Sequence, residues 1–257
     1  MTIAAAGESS TQALSAKPAR AGAKRRYEHL FFSGMALVIL AVVFRGFART
    51  YFLAGVFHAP LPSMVIHVHG AVFSCWILLL IVQTSLVAAG RVNVHRALGI
   101  GGFVLACAMV ILGILAATNA LARGHSPPDV PDPKTFYALP MMDILLFATL
   151  VLFAFRERFH PAMHKRLILI ATIALMDAAF VRWPMLHHDI YKAFLLTDAL
   201  ALILVVYDLW STHTIQRATL WGGAFLILMH HLAFPIGGTA AWHAFATWAQ
   251  RVGRLYT

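Results

Sequence analysis

Histidine and aspartate side chains set inside otherwise apolar segments are the groups of this chain with chemistry to offer. His67 and His69 open the run "PSMVIHVHGAVFSCW" at residues 62–76, and His230 and His231 lie in "LMHHLAFP" far along the chain. Asp143, Asp177 and Asp198 interrupt three further apolar runs, with Arg45 and Arg182 as cationic counterparts. A low-dielectric setting favours neutral imidazole, the form that coordinates iron, copper or zinc. A charged side chain facing lipid near the bilayer centre costs about 2.5 to 3.5 kcal/mol, so these residues are expected to turn inward and pair. Arg45 and Arg182 are the natural partners for the three aspartates, and the expected result is one polar pocket in the periplasmic half lined by His67, Asp143, Asp177, Arg182, Asp198 and His230 or His231, unless such pairs only fasten helices together.

Helical geometry sorts the histidines. At 3.6 residues per turn His67 and His69 point about 200° apart, and His230 and His231 about 100° apart, so only one of each pair faces a given centre. His67 shares its face with Ser63, Gly70, Ala71 and Ser74, a groove of small residues that admits a neighbouring helix or a flat macrocycle. His69 shares its face with Phe73, Trp76 and Gln83 and suits a packing role.

The elements that carry these residues are membrane spans. Of 257 residues 60% are hydrophobic and 12% charged, and the mean hydropathy is +0.76, outside the range of a soluble domain. Apolar runs of about 20 residues, enough to cross roughly 30 Å of hydrocarbon, recur at 29–52, 63–89, 96–122, 137–156, 166–186, 190–210 and 218–236. Runs without two-residue alternation imply helices rather than a barrel. The expected fold is all-α, a seven-transmembrane helix bundle over residues 28–238. A disordered basic tail over residues 1–27 precedes it, and an amphipathic interfacial helix over 239–257 follows. Cys75 and Cys107 lie within apolar runs and imply no disulfide.

A net charge of +10 raises the question of nucleic acid. The basic residues gather at span ends and in the tail, where the lipid bilayer is the better partner. With the tail in the cytoplasm, twelve of the twenty Lys and Arg fall on that side, which favours N-in, C-out. The turns "RVNVHRALG" and "RERFHPAMHKRL" echo one another, each setting a histidine, His95 or His164, beside basic residues where a helix begins.

Three functions fit these groups. The first is a b-type haem or a transition metal, copper or zinc, held by His67 with His230 or His231, with His95 and His164 holding a second centre. Its role would be electron transfer or the assembly of a respiratory complex. The second is a zinc hydrolase. Ser63, four residues before His67, resembles the Ser-x-x-x-His element of the seven-span ceramidase and adiponectin-receptor superfamily. That likeness implies a zinc-activated water acting on a lipid amide; the family's final His-x-x-x-His is replaced here by adjacent His230 and His231. The third is a proton-coupled transporter using the aspartates and histidines as relays. The turn holding Arg91, His95, Arg96 and Gly99 is also similar to an Arg-x-x-x-His-Arg-x-Leu-Gly turn in a broad group of bacterial multi-span proteins, which implies a helical fold and a bacterial inner membrane but no activity.

Overall fold

The computed structural model describes residues 5–60 and 63–255, with side chains from Arg26 onward. The charge of the expected tail at 1–27 therefore lies almost wholly outside the described side chains. Helices account for all regular structure among the described residues, in the order α1 (Ala5–Phe47), α2 (Met64–Ala88), α3 (Val92–Ala122), α4 (Pro133–Phe136), α5 (Ala138–Arg156), α6 (Pro161–Ile173), α7 (Asp177–Phe180), α8 (Ile190–Thr212), α9 (Arg217–Gly237) and α10 (Ala240–Gly253), with a π-helical turn Ala48–Phe52 continuing α1 and a 3-10 turn Pro184–Leu186 between α7 and α8. Local chemistry sets several boundaries. Asp132, Asp189 and Thr239 accept amide hydrogen bonds at the starts of α4, α8 and α10, satisfying donors that no preceding turn can reach. Pro161 begins α6, where its missing N–H is no loss.

Among the described residues, six stretches are long and apolar enough to cross a membrane: Arg26–Phe52, Met64–Ala88, Val92–Ala122, Pro133–Arg156, Ile190–Thr212 and Arg217–Gly237. Leu37, Val104, Ile111, Leu202, Val206 and Trp221 point outward and exposed, a surface that fits lipid and would aggregate in water. The build is that of a multi-pass membrane protein.

The segment expected as a seventh continuous span, 166–186, is instead broken. α6 stops at Ile173, three residues form a tightened turn, and α7 adds a single helical turn from Asp177. In the break the amides of Leu175 and Met176 bond back three residues, to Thr172 and Ile173 at 3.2 and 2.9 Å. No glycine or proline causes it. Thr172 contributes, because its hydroxyl donates to the Ile168 carbonyl at 2.9 Å, a side-chain bond that bends helices, while Trp76 Nε1 donates to that hydroxyl at 3.2 Å. Irregular backbone at membrane depth is tolerated where protein surrounds it, and Ala174, Met176 and Asp177 are all buried.

Two close approaches lock the elements around this break. Gly46 of α1 lies so tightly on α7 that a Cβ there would overlap the Ala179 carbonyl. The core packs α5, α6, α8 and α9 through Leu146, Phe147, Ile170, Ile173, Leu204 and Leu226. α10 docks on the last turns of α3, where Gly253 meets the Thr118 carbonyl at 2.9 Å from an idealised Cβ and Gln250 Nε2 donates to the Leu121 carbonyl at 3.1 Å.

Candidate metal centre

Four helical elements converge on His230, which is only 2% exposed. α9 carries it seven residues before its end at Gly237, about 10 Å from that end at 1.5 Å per residue. Asp177 comes from the start of α7, Asp198 from α8 and Asp143 from α5. The break after α6 is what turns Asp177 into this space: it opens a new helical turn at mid-depth, whereas a continuous helix would have carried its register onward.

The geometry is that of fixed side chains with free donor atoms. Phe194 stacks on the His230 ring, centroids 4.4 Å apart and planes 7° from parallel. His230 Nδ1 lies 3.2 Å from Asp198 Oδ1, and Nε2 lies 3.0 Å from Asp177 Oδ2. Neither contact has hydrogen-bond geometry, and both ring nitrogens and both of those carboxylate oxygens are buried without a hydrogen-bond partner. The other Asp177 oxygen, Oδ1, accepts a hydrogen bond from the Thr197 hydroxyl. Asp143 Oδ1 is likewise buried and unpartnered. One donor atom from each of Asp143, Asp177 and His230 falls within 4.8 Å of the others.

Buried polar atoms normally have partners, and leaving one bare costs about 1 to 3 kcal/mol, more for a charged group. Five such atoms on four side chains gather here, four of them in His230–carboxylate ion-pair contacts at 3.0 and 3.2 Å, an arrangement that a cation would relieve. Metal bonds of about 2.0 to 2.2 Å to nitrogen and oxygen set adjacent ligand atoms about 3 Å apart, the spacing seen between Nε2 and Asp177 Oδ2. Protonation offers the alternative, with an imidazolium between aspartates.

The other expected site residues lie elsewhere. His67 is exposed, and its ring packs beside Tyr51, whose hydroxyl lies 3.3 Å from Nδ1 and donates to the His67 carbonyl at 3.0 Å. The small-residue groove is occupied by that same Tyr51, whose ring carbon would lie 2.9 Å from a Cβ on Gly70. Ser63 precedes α2 with its hydroxyl buried and unpartnered. His69 packs on Phe73 with centroids 4.1 Å apart, as a packing residue would. His231 is exposed and its Nδ1 donates to the Ile227 carbonyl at 3.0 Å. Arg182 donates to the Ala178 carbonyl and covers Phe47 at 4.6 Å; Arg45 lies over Trp183 at 6.0 Å. Both arginines are given aromatic faces where aspartates were expected, and the aspartates face His230 instead. His95 and His164 do meet, at the opposite end of the bundle, with ring centroids 6.3 Å apart.

Sequence reasoning passed over Thr197 and Phe194, which hold Asp177 and cover the His230 ring. Their position in α8, one and four residues before Asp198, is the only signal they had: "FLLTD" sets Phe194 and Thr197 on one helical face. It also passed over a second buried network. Arg166 donates to Asp208 Oδ1 through Nε at 2.9 Å and Nη2 at 2.5 Å, while Thr219 and the Gln216 amide satisfy Oδ2 at 2.5 and 3.1 Å. Unlike the His230 cluster it is saturated, which marks it as a fastener between α6, α8 and α9 and removes Arg166 from the count of free basic residues.

Comparison of the chain with protein-family models, with curated proteins and with solved structures gives no match.

Proposed function

We propose that the chain is an integral membrane protein that binds a transition-metal ion between Asp143, Asp177 and His230. The carrying observation is that one donor atom from each of these three side chains converges at one place, while Asp177 Oδ1 is held by the Thr197 hydroxyl and Asp198 Oδ1 lies 3.2 Å from His230 Nδ1. A ligating histidine ordinarily gives its second nitrogen to a carboxylate, and Asp198 supplies that carboxylate. Two oxygens and one nitrogen suit zinc, manganese or ferrous iron. Haem is disfavoured, because both His230 nitrogens face carboxylates and Phe194 covers a ring face.

Three protein donors leave a coordination position open, as in catalytic rather than structural sites. An ion there would hold a water of lowered pKa near hydrocarbon, and hydrolysis of a lipid-borne amide or ester is the activity this reading favours. With the N-terminus cytoplasmic, in a bacterial inner membrane, the centre lies toward the periplasmic side; a respiratory or electron-transfer partner would approach from there. Metal analysis of protein purified in mild detergent tests the reading: one equivalent is expected in the wild type and less than a tenth of that in His230→Gln and Asp177→Asn. Equal metal in all three would overturn it.

A second reading rests on the break between α6 and α7. Discontinuous helices with buried carboxylates serve as ion-coupling sites in transporters, and a metal-free protein that moves protons in vesicles, silenced by Asp177→Asn, would select it.

A further inference from the structure

At the end of the bundle that carries the α2–α3 and α5–α6 turns, the two echoing histidines are brought together. His95 lies in the first turn of α3 and His164 in the first turn of α6, and their ring centroids are 6.3 Å apart with planes twisted 81° from one another. Each ring is prepared differently. His164 Nδ1 donates to the Ala154 carbonyl at 2.8 Å, which fixes its tautomer and leaves Nε2 with a free lone pair. His95 is held through its main chain, where its carbonyl accepts from Gln83 Nε2 at 3.3 Å, and its Nδ1 is buried with no hydrogen-bond partner. Gln83 Oε1 is buried and unpartnered as well.

We infer that His95 and His164 form a second metal site, distinct from the His230 centre, that takes a copper(I) ion. Two imidazoles on opposite sides of one ion, with metal–nitrogen bonds of about 2.0 Å, set their ring centres about 6 Å apart, the separation found. A second-nitrogen bond to a backbone carbonyl is the usual orienting contact for a ligating histidine, and His164 has it. The charge of the ion follows from the surroundings. No carboxylate contacts either ring among the described residues; Glu157 of the adjoining turn pairs with His160 at 2.8 Å, and Glu28 pairs with Lys165. Arg91, Arg96, Arg156 and Arg158 belong to the same two turns. A donor set of neutral nitrogens in basic surroundings penalises a divalent ion more than a monovalent one, and copper(I) is the monovalent transition ion that two imidazoles bind. A single ion fits better than haem because α3 and α5 are zipped beside the pair by Phe103 stacked on Phe155 at 4.1 Å.

The test is copper(I) titration of the full chain in detergent, under reductant, against a chromogenic copper(I) chelator, with X-ray absorption on the loaded protein. Wild type is expected to retain one copper(I) with two nitrogen neighbours collinear at the metal. His164→Gln and His95→Gln should each lose it, at least a hundredfold weaker against the chelator. His95→Gln keeps the main-chain carbonyl that Gln83 uses, so unchanged helical circular dichroism and melting in that variant separate ligand loss from misfolding. His230→Gln should retain copper(I) here while losing the ion of the other centre, so the two sites succeed or fail independently. Undiminished copper(I) retention in both His95→Gln and His164→Gln, a wild type that loses all copper to the chelator, or a Soret band in the purified wild type would overturn the assignment.

Discussion

Thr197 and Asp198 are neighbours in sequence with separate duties: one hydroxyl holds Asp177, one carboxylate faces His230. If they orient ligands rather than bind the ion, Thr197→Val and Asp198→Asn should each weaken metal affinity by about 10 to 100-fold with the stoichiometry unchanged, read by competition with a metal indicator. A loss of stoichiometry would make them ligands instead. The Arg166–Asp208 pair behaves differently, because it is saturated and remote from the bare donors. Asp208→Ala strands a buried guanidinium, so a loss of about 3 to 5 kcal/mol is expected, seen as a lower thermal midpoint in detergent with metal content intact. At this scale the sequence was half legible. Asp143, Asp177, Asp198 and His230 stand out as polar residues in apolar runs and as one pocket; the absence of His67 and Arg182 from it does not, because choosing which charges meet needs the rotation of each helix, and Arg45 and Arg182 lie against aromatic faces no spacing rule reveals.

The break between α6 and α7 is the element on which the centre depends. Apolar composition over 166–186 reads as one more span, and with no glycine or proline before Pro184 nothing in the pattern announces the stop; the Thr172 hydroxyl and the pull of Asp177 toward His230 are tertiary causes. Gly46 is the contact that keeps α7 in place from the α1 side. Gly46→Ala forces overpacking that costs about 1 to 3 kcal/mol and should lower metal occupancy although the residue touches no ligand; full occupancy would show that α7 is positioned otherwise. α10 offers a pH-dependent contact. Burial pushes the Asp132 carboxyl up, but hydrogen bonds from the Thr135 hydroxyl and amide and the Lys134 amide, with His243 beside it, outweigh this and hold it below its ordinary value. The Thr135 hydroxyl also meets His243 Nε2 at 3.2 Å, joining α4 to α10. A depressed carboxyl contributes stability above its unfolded pKa of about 3.9 and loses it as pH falls through the folded value. Acid titration below about pH 4 should therefore release α10, reported by Trp242, whose Nε1 donates to the Lys134 carbonyl at 2.8 Å. Asp132→Asn should show that release already at neutral pH.

For the molecule as a whole, hydropathy made the helices and most of their limits plain, since backbone groups in lipid must be satisfied within each segment. It could not separate a crossing helix from a broken one, which is why, among the described residues, six candidate spans and a broken segment at 166–186 stand where seven spans were expected. The echo between the two basic turns proved spatial as well as sequential, bringing His95 to His164. Two polar clusters at opposite ends, one rich in carboxylate and one in imidazole and arginine, give the bundle a chemical polarity along its axis. The central claim is that the first of these holds an ion. Crystals of the full chain grown with zinc and measured at the zinc absorption edge test it directly. An anomalous peak about 2 Å from Asp143, Asp177 and His230 together is the predicted result; well-ordered side chains with no peak between them would contradict it.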